Sequence, residues 1–291
     1  MNTNMLFFNK KIFYFFIILF TVSCINEKKD KSSNGEDNIV DEEAEKKDTI
    51  LAYTKYDLPL PVNLYVFLKG KNLAFFPELL VPIEKERNYV SNTRKAINMG
   101  FYSSDLGYCS TFEQTQKTID YYVVLKRMAE SFGIGEGYNE DFIGRVEKNK
   151  NNIDSIYNLS TDAYWKFCNK LESDGKVNVL PFVVVGSWLE SMHLITNVPE
   201  EKKLRKEIFK KVAEQEEALN NIIKYLYKVM LDSNAFEAID DIQVLIKQLK
   251  NIQSIYKKIY KYEGERLLKK DDFKAIKVEI MTIREEYKNI N

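Results

Sequence analysis

The last ninety residues carry the most regular pattern of apolar positions in the chain. Apolar side chains recur there at alternating steps of four and three residues, which places them on one face of an α-helix. Three such series run over residues 204–229, 242–259 and 273–287, with polar breaks at 232–234 and 263–271. The sequence therefore predicts three helices that pack as antiparallel neighbours at shallow crossing angles.

The preceding part of the chain also has helical patterning. Residues 62–68 predict a short helix that begins after Pro61, and 83–132 predict one long helical stretch. Residues 142–171 predict two helical pieces divided near 158–161, and 177–196 form an almost continuous apolar helix. The fold class expected is all-α, an elongated multi-helix bundle with a heptad-patterned antiparallel C-terminal part.

Composition agrees with that fold class. The 291 residues include only 11 glycines and 6 prolines, too few for the many turns of a β-sandwich or barrel. Lysine plus arginine and aspartate plus glutamate number 43 each. No basic stripe with interleaved aromatic residues stands out, so nucleic acid is not expected as a partner.

The amino terminus has the order of a secretory signal. Lys10 and Lys11 precede an apolar run over residues 12–20, which is short for a membrane-spanning helix. The next residues, Thr21-Val22-Ser23-Cys24, resemble the lipobox of bacterial lipoproteins, although that family usually has leucine where Thr21 stands. The resemblance implies that residues 1–23 are removed and that Cys24 becomes the new amino terminus. It also implies that Cys24 carries acyl chains, among them palmitate.

Residues 24–50 are then expected to form a lipidated cysteine and a disordered tether. The segment is charged and nearly free of apolar residues, so it cannot bury enough surface to offset its ordering entropy. Two or three acyl chains hold a protein on a bilayer far better than one. Isoleucine follows Cys24, where aspartate signals inner-membrane retention in enterobacterial lipoproteins, so the outer membrane is favoured.

Residues 51–291 are expected to form a single helical domain, or two subdomains over 51–198 and 199–291. Besides Cys24, this sequence has two cysteines, Cys109 and Cys168. An exported protein permits a disulfide between them, but free buried cysteine is also common, so both alternatives stay open.

The chain has a single histidine, His193, three residues after Glu190. A Ser-His-Asp or Cys-His system would have to use it, and its helical neighbours include no nucleophile. The ExxH spacing occurs in di-iron bundles, but those sites need two such histidines. No metal site, catalytic set or cofactor is therefore predicted.

Asp105 and Glu190 interrupt otherwise apolar helix faces, and three interpretations apply. They are an interhelical polar network that tyrosine hydroxyls satisfy, or the polar groups of a ligand pocket, or the acid and base of a glycan or peptide hydrolase. The candidate ligand-binding residues are Tyr102, Asp105, Tyr108, Gln116, Trp188, Glu190 and His193.

Two stretches have a distinctive order of residues, with Gly100, Tyr102, Asp105, Leu106 and Tyr108 in the first, and Gly186, Trp188, Glu190 and Thr196 in the second. With these residues the chain resembles a group of uncharacterised all-helical lipoproteins of Bacteroidetes-type bacteria. The resemblance implies an exported helical lipoprotein and no activity. The function expected is that of a membrane-anchored helical binding or scaffold module with a small-molecule or protein ligand; the alternative is an envelope hydrolase that uses Asp105 and Glu190.

Overall fold

The computed structural model describes residues 57–134, 142–149, 152–176, 178–199, 202–259, 261–262, 265–266 and 268–289. The described α-helices are α1 Val62–Gly70, α2 Asn92–Thr111, α3 Thr115–Ser131, α4 Phe142–Asn149, α5 Ile153–Ser173, α6 Leu180–Asn197, α7 Arg205–Val229, α8 Ile239–Lys257 and α9 Lys270–Lys288. Short 3-10 helices span Pro77–Leu79, Ile83–Asn88 and Ser233–Ala238, and β1 Lys261–Tyr262 pairs antiparallel with β2 Glu265–Arg266. The prediction of an all-α bundle is confirmed; the predicted signal, Cys24 and the tether lie outside the described residues.

Helix α6 lies at the centre of the bundle. Every residue from Leu180 to Thr196 is buried, because α1, α2, α5, α7 and α9 all pack against it. A helix with apolar residues all round is stable in water only when it is enclosed in this way. Neither α6 nor any other described helix is both long and apolar enough to cross a membrane.

The helices α2 and α6 cross at two glycines. A Cβ atom on Gly186 would lie 2.1 Å from the Ile97 carbonyl oxygen, and one on Gly100 would lie 2.3 Å from the Val183 carbonyl oxygen. The Ser187 hydroxyl donates to the Gly100 carbonyl at 3.2 Å across the same contact. The two stretches singled out in the sequence therefore meet at one helix crossing, where only glycine permits this approach.

The C-terminal helices follow the predicted boundaries. Helix α7 ends at Val229, α8 spans the second apolar series and α9 the third. The Gln253 amide donates to Asn220 at 2.6 Å between α8 and α7, and the Gln248 amide donates to Glu286 at 2.8 Å between α8 and α9. The apolar residues that recur at alternating steps of four and three in these helices are buried in the core, as that period predicts.

The predicted single helix over residues 83–132 is wrong. The chain forms a 3-10 helix first, and α2 and α3 are separated at residues 112–114. Glu113 has a φ of 59°, a left-handed conformation that ends α2 without a glycine or proline to mark it. Local sequence patterning carries no signal for such a break.

The predicted division near residues 158–161 is also misplaced, because these residues lie within α5. Helix α5 begins after Asn152, whose side chain accepts a hydrogen bond from the Ser155 N–H at 3.0 Å. The predicted helix at residues 62–68 is confirmed as α1, and Gly133 and Gly175 follow the ends of α3 and α5 with φ values of 75° and 68°. The glycine-rich residues 135–137 lie outside the described residues.

Cys109 on α2 and Cys168 on α5 are free thiols. Both side chains are buried, and burial raises the pKa of the Cys109 thiol above its usual range. The structure therefore has no disulfide between these two cysteines, and burial disfavours the thiolate form of Cys109.

Candidate functional site

Glu190 forms an ion pair with Arg284 inside the bundle. The Arg284 Nε donates to Glu190 Oε2 at 2.5 Å, and Nη2 donates to Oε1 at 2.7 Å. The side chains are 3% exposed for Arg284 and 0% for Glu190. This two-point geometry matches the planar guanidinium to the carboxylate and links α6 to α9 across the core.

The remaining donors of Arg284 also have acceptors. Its Nη2 donates to the Leu79 carbonyl at 3.2 Å, and Nη1 donates to Glu285 Oε1 at 3.1 Å. Burial alone lowers the pKa of Arg284, but the charge of Glu190 and its hydrogen bonds outweigh burial and raise it. Arg284 is therefore a buried cation that Glu190 stabilises.

Asp105 lies beside this ion pair and is fully buried. Its Oδ2 accepts from the Val81 N–H at 2.9 Å, and no described group donates to its Oδ1. Burial and then the charge of the neighbouring Glu190 raise the pKa of Asp105 well above its usual value. We infer that Asp105 retains its proton beside Glu190, because the cluster then contains one negative and one positive charge.

His193, one turn after Glu190 on α6, completes this cluster and is 7% exposed. Its Nδ1 lies 3.1 Å from the Asn197 Nδ2, and the Leu79 carbonyl is near the ring. An amide nitrogen can only donate, so the neutral ring accepts from Asn197 at Nδ1 and carries its own proton on Nε2. Burial lowers the pKa of His193 to about 4, with Arg284 acting in the same direction and Glu190 opposing it, so the ring is neutral at neutral pH.

This pKa gives a prediction for acid stability. In the unfolded chain His193 takes up a proton near its usual pKa of 6.5, but in the folded protein only near 4. The free energy of unfolding should therefore fall by about 3 kcal/mol as the pH drops through this window, at roughly 1.4 kcal/mol per pKa unit. His193→Gln should remove this loss, as urea unfolding at several pH values would measure.

Asp105 changes the pH dependence of stability in the opposite direction to His193. Its folded pKa is raised, so its stabilising contribution is complete below the usual aspartate pKa and is lost as the pH rises towards the folded value. Both proteins contain Asp105, so its contribution cancels when the free energy of unfolding of His193→Gln is subtracted from that of the wild type. If the two proteins lost stability in parallel between pH 6.5 and pH 4, the assignment of a neutral buried His193 would be wrong.

Residues 76–82 cover the cluster, and we call them the covering segment. The Phe76 N–H donates to the Tyr108 hydroxyl at 3.1 Å, while Tyr121 and Tyr102 donate to the Val81 and Pro82 carbonyls at 2.6 and 3.0 Å. Prolines keep this segment out of a regular α-helix, so its buried backbone groups need side-chain partners. The tyrosines hold the covering segment, and the carboxyl groups take their donors from Arg284 and the backbone instead.

The structure divides the predicted site residues into three groups. Asp105, Glu190 and His193 come together, and Tyr102 and Tyr108 hold the segment above them. The other two, Trp188 and Gln116, lie elsewhere.

The separation of Trp188 and Gln116 has a geometric reason. Trp188 is two residues from Glu190, so the two side chains leave α6 on opposite sides, and they do not form walls of one pocket. Gln116 follows the break between α2 and α3, is exposed, and donates to Asp120 at 2.9 Å. Steps of three and four residues place Gln116 on the same face as Asp105 only in a continuous helix over residues 83–132.

Arg284 is the functional residue that the sequence reasoning missed. It lies four residues after Ile280 and three before Tyr287, on the buried face of α9. A charged residue within an apolar series is the same signal that identified Glu190. Since a buried cation and a buried anion balance each other's charge, the two residues could have been suggested as an ion pair. The pairing itself could not be predicted from local patterns, because Glu190 and Arg284 are 94 residues apart in the sequence.

The arrangement favours a structural role for the cluster over acid–base chemistry. Both carboxyl groups are fully buried, and Glu190 is held by two hydrogen bonds to Arg284. A glycosidase pair needs room for the sugar and for water between its carboxyl groups. Within the described ranges, no three histidine, cysteine, aspartate or glutamate residues are grouped to hold a metal ion.

A groove between α2, α3, α4 and α5 is the accessible concave feature of this region. Its cavity volume is about 60 Å³, and its mouth is open to solvent. Its wall is mostly apolar and joins the main core to a smaller cluster around Tyr122, Phe142 and Leu159. The groove also contains Arg145, for which the described residues include no ion-pair partner, and the ion pair of Lys166 with Asp162 at 3.3 Å.

Comparisons of the chain with protein-family models, with curated proteins and with solved structures found no match. What the molecule does therefore has to be argued from its own residues.

Proposed function

We propose that this protein is a lipid-anchored helical binding module of the bacterial cell envelope, held on the outer membrane through acylated Cys24. The anchor rests on the signal-like residues 1–20, the lipobox-like Thr21 to Cys24 and the polar tether that follows. These features agree with the resemblance to all-helical lipoproteins of Bacteroidetes-type bacteria.

The proposed binding function rests on a difference in accessibility: the charged cluster is buried, whereas the groove is open to solvent. The cluster of Asp105, Glu190 and Arg284 is closed, balanced in charge and covered by the covering segment. The groove is open and mostly apolar, and its cavity of about 60 Å³ suits a narrow ligand such as part of a single chain. A ligand reaches the groove without displacing a hydrogen bond of the core.

The side chains of the groove favour an apolar ligand with one negative charge. Leu106, Leu125 and Phe167 offer apolar contact, and Arg145 offers a cation, while the carboxylate in the groove, Asp162, pairs with Lys166. A carboxylate or phosphate receives two parallel hydrogen bonds from an arginine. A single acyl chain with an anionic head has this chemistry.

A photoreactive fatty acid with a diazirine in its chain tests this function. On the full-length protein in membranes, cross-links should map to α3 and α5 in the groove. Ala163→Phe should abolish them, because Ala163 lines the groove and the larger ring fills it. Arg145→Gln should reduce them several-fold through loss of the charge, as mass spectrometry of the cross-linked peptides would show.

Lys148→Gln provides the matched control, because it removes an exposed positive charge from the same helix without lining the groove. Its cross-links should equal those of the wild type. Cross-links that persist in Ala163→Phe, or that fall equally in Lys148→Gln and Arg145→Gln, would place the ligand somewhere else.

A further inference from the structure

Three large apolar side chains are more than three-quarters exposed among the residues that the structure describes. They are Val90 at 86%, Leu231 at 81% and Phe236 at 79%. All three lie in connections between helices: Val90 precedes α2, and Leu231 and Phe236 join α7 to α8. Single exposed apolar residues are ordinary on a protein surface, but their grouping is informative.

These connections lie at the same end of the bundle. Thr93 at the start of α2 hydrogen-bonds Asp241 at the start of α8. Arg94 donates to the carbonyls of Glu286 at 2.6 Å and Asn289 at 2.8 Å, at the end of α9. Helix α7 ends where the connection to α8 begins. We call this the exposed end, the end at which α2 and α8 begin and α7 and α9 finish.

The first described residues lead back towards the exposed end. Lys71 pairs with Glu207 near the start of α7, and the Asn221 amide donates to the Asp57 carbonyl at 3.3 Å further along that helix. Followed backwards from Lys71 to Asp57, the chain therefore runs along α7 towards Val229. At a rise of about 1.5 Å per residue, Asn221 lies about 12 Å from the end of α7.

The chain length before Asp57 limits how far this end lies from a lipid anchor. Cys24 precedes Asp57 by 33 residues. A flexible chain of that length has a root-mean-square span of roughly 30 Å. A tether of this length would let the exposed end reach the bilayer surface.

We propose that the exposed end docks on the bilayer to which Cys24 is anchored, with Val90, Leu231 and Phe236 inserted among the lipid headgroups. Aromatic and apolar side chains at loop tips favour this interfacial layer. The proposal rests on the lipid anchor of the proposed function and adds an orientation, in which the bundle stands with the starts of α2 and α8 against the membrane.

The charges at the exposed end are mixed. Two basic residues at this end are exposed: Arg87 precedes α2, and Lys228 lies at the end of α7. Two acidic residues, Asp232 and Glu237, lie in the connection from α7 to α8. A polybasic surface would bind anionic lipid through its charge, whereas a mixed one does not. Docking on phosphatidylcholine vesicles should therefore be independent of anionic lipid and change little with salt.

Tryptophan quenching by brominated phosphatidylcholine tests the docking. The full-length acylated protein is placed in vesicles, and Phe236→Trp is compared with Val278→Trp. Val278 is a similarly apolar position, 51% exposed, but it lies about 15 Å from the exposed end along α9. Quenching of the new tryptophan should be several-fold stronger at position 236 than at position 278.

A second variant checks that insertion depends on the apolar side chains. Val90→Trp should also be quenched, and the quenching should be lost when Leu231→Ser and Phe236→Ser are added. Equal quenching at positions 236 and 278 would overturn the proposal. So would a buried, unquenched tryptophan at position 236, because a second protein copy and not lipid would then cover the exposed end.

Palmitate labelling of the same samples separates docking from anchoring. Labelling of the wild type and its absence in Cys24→Ser would support the anchor. Labelled protein without quenching at position 236 overturns the docking alone. Unlabelled wild type, or labelling that persists in Cys24→Ser, overturns the anchor and the docking that rests on it.

Discussion

Glu190→Gln is expected to lower the free energy of unfolding by about 3–5 kcal/mol, because it removes the buried carboxylate that pairs with Arg284 and leaves only the half-exposed Glu285. Arg284 has only 3% of its side chain exposed, so water cannot replace the lost carboxylate. Glutamine preserves the size of the side chain, which leaves the charge as the main change. Equilibrium unfolding in urea, followed by circular dichroism, measures the loss.

Asp105→Asn is the matched variant for this experiment. If Asp105 is protonated, asparagine matches its neutral charge, and the amide oxygen accepts from the Val81 N–H. The free energy of unfolding should then change by less than about 1 kcal/mol, the worth of an ordinary hydrogen bond. A loss as large as that of Glu190→Gln would show that Asp105 is ionised and that the charge balance of the cluster is different.

A double variant distinguishes charge from packing. Adding Arg284→Met to Glu190→Gln removes both buried charges and should recover much of the lost stability, since apolar replacements of buried ion pairs are often neutral. Glu285→Gln changes a half-exposed carboxylate beside Arg284 and should cost much less. A double variant less stable than either single variant would indicate that packing, and not charge, explains the loss.

The second large effect is expected from Gly186→Ala. The new Cβ would lie 2.1 Å from the Ile97 carbonyl oxygen, an overlap of two backbones that no side-chain rotation relieves. Helices α2 and α6 would have to separate across the centre of the core. We expect a loss of about 4 kcal/mol or more, although alanine is intrinsically the better helix former by about 1 kcal/mol.

Gly70→Ala is the control for the glycine experiment, because nothing lies within 4 Å of a Cβ atom at that helical position. It should leave stability unchanged or raise it slightly. Gly100→Ala should behave like Gly186→Ala, and the double variant should lose less than the sum, since one separation of the helices relieves both contacts. Equal stability of Gly186→Ala and Gly70→Ala would contradict the close crossing.

Helix periodicity made the C-terminal part of the fold predictable. Helices α7, α8 and α9 each repeat apolar residues at steps of three and four, and polar residues separate them. The break at Glu113 was not predictable in the same way, because a non-glycine residue in a left-handed conformation leaves no mark in the pattern. Gln116 was assigned to the site for this reason alone.

The candidate site shows the same division. The sequence identified Asp105, Glu190 and His193 because polar groups on apolar helix faces need partners. It did not identify Arg284 as that partner, nor the covering segment, whose backbone supplies the Leu79 carbonyl and the Val81 N–H. Those groups come from distant parts of the chain, and only packing brings them within hydrogen-bonding distance.

The sequence by itself determined the helical class, the C-terminal helices and the presence of buried carboxyl groups, because each depends on local periodicity and on the free energy of burying a polar group. The tertiary structure alone decided which groups surround each carboxyl group, that burial raises the pKa of Asp105, and that two glycines meet between α2 and α6. These properties depend on distances between helices, which a one-dimensional pattern does not contain.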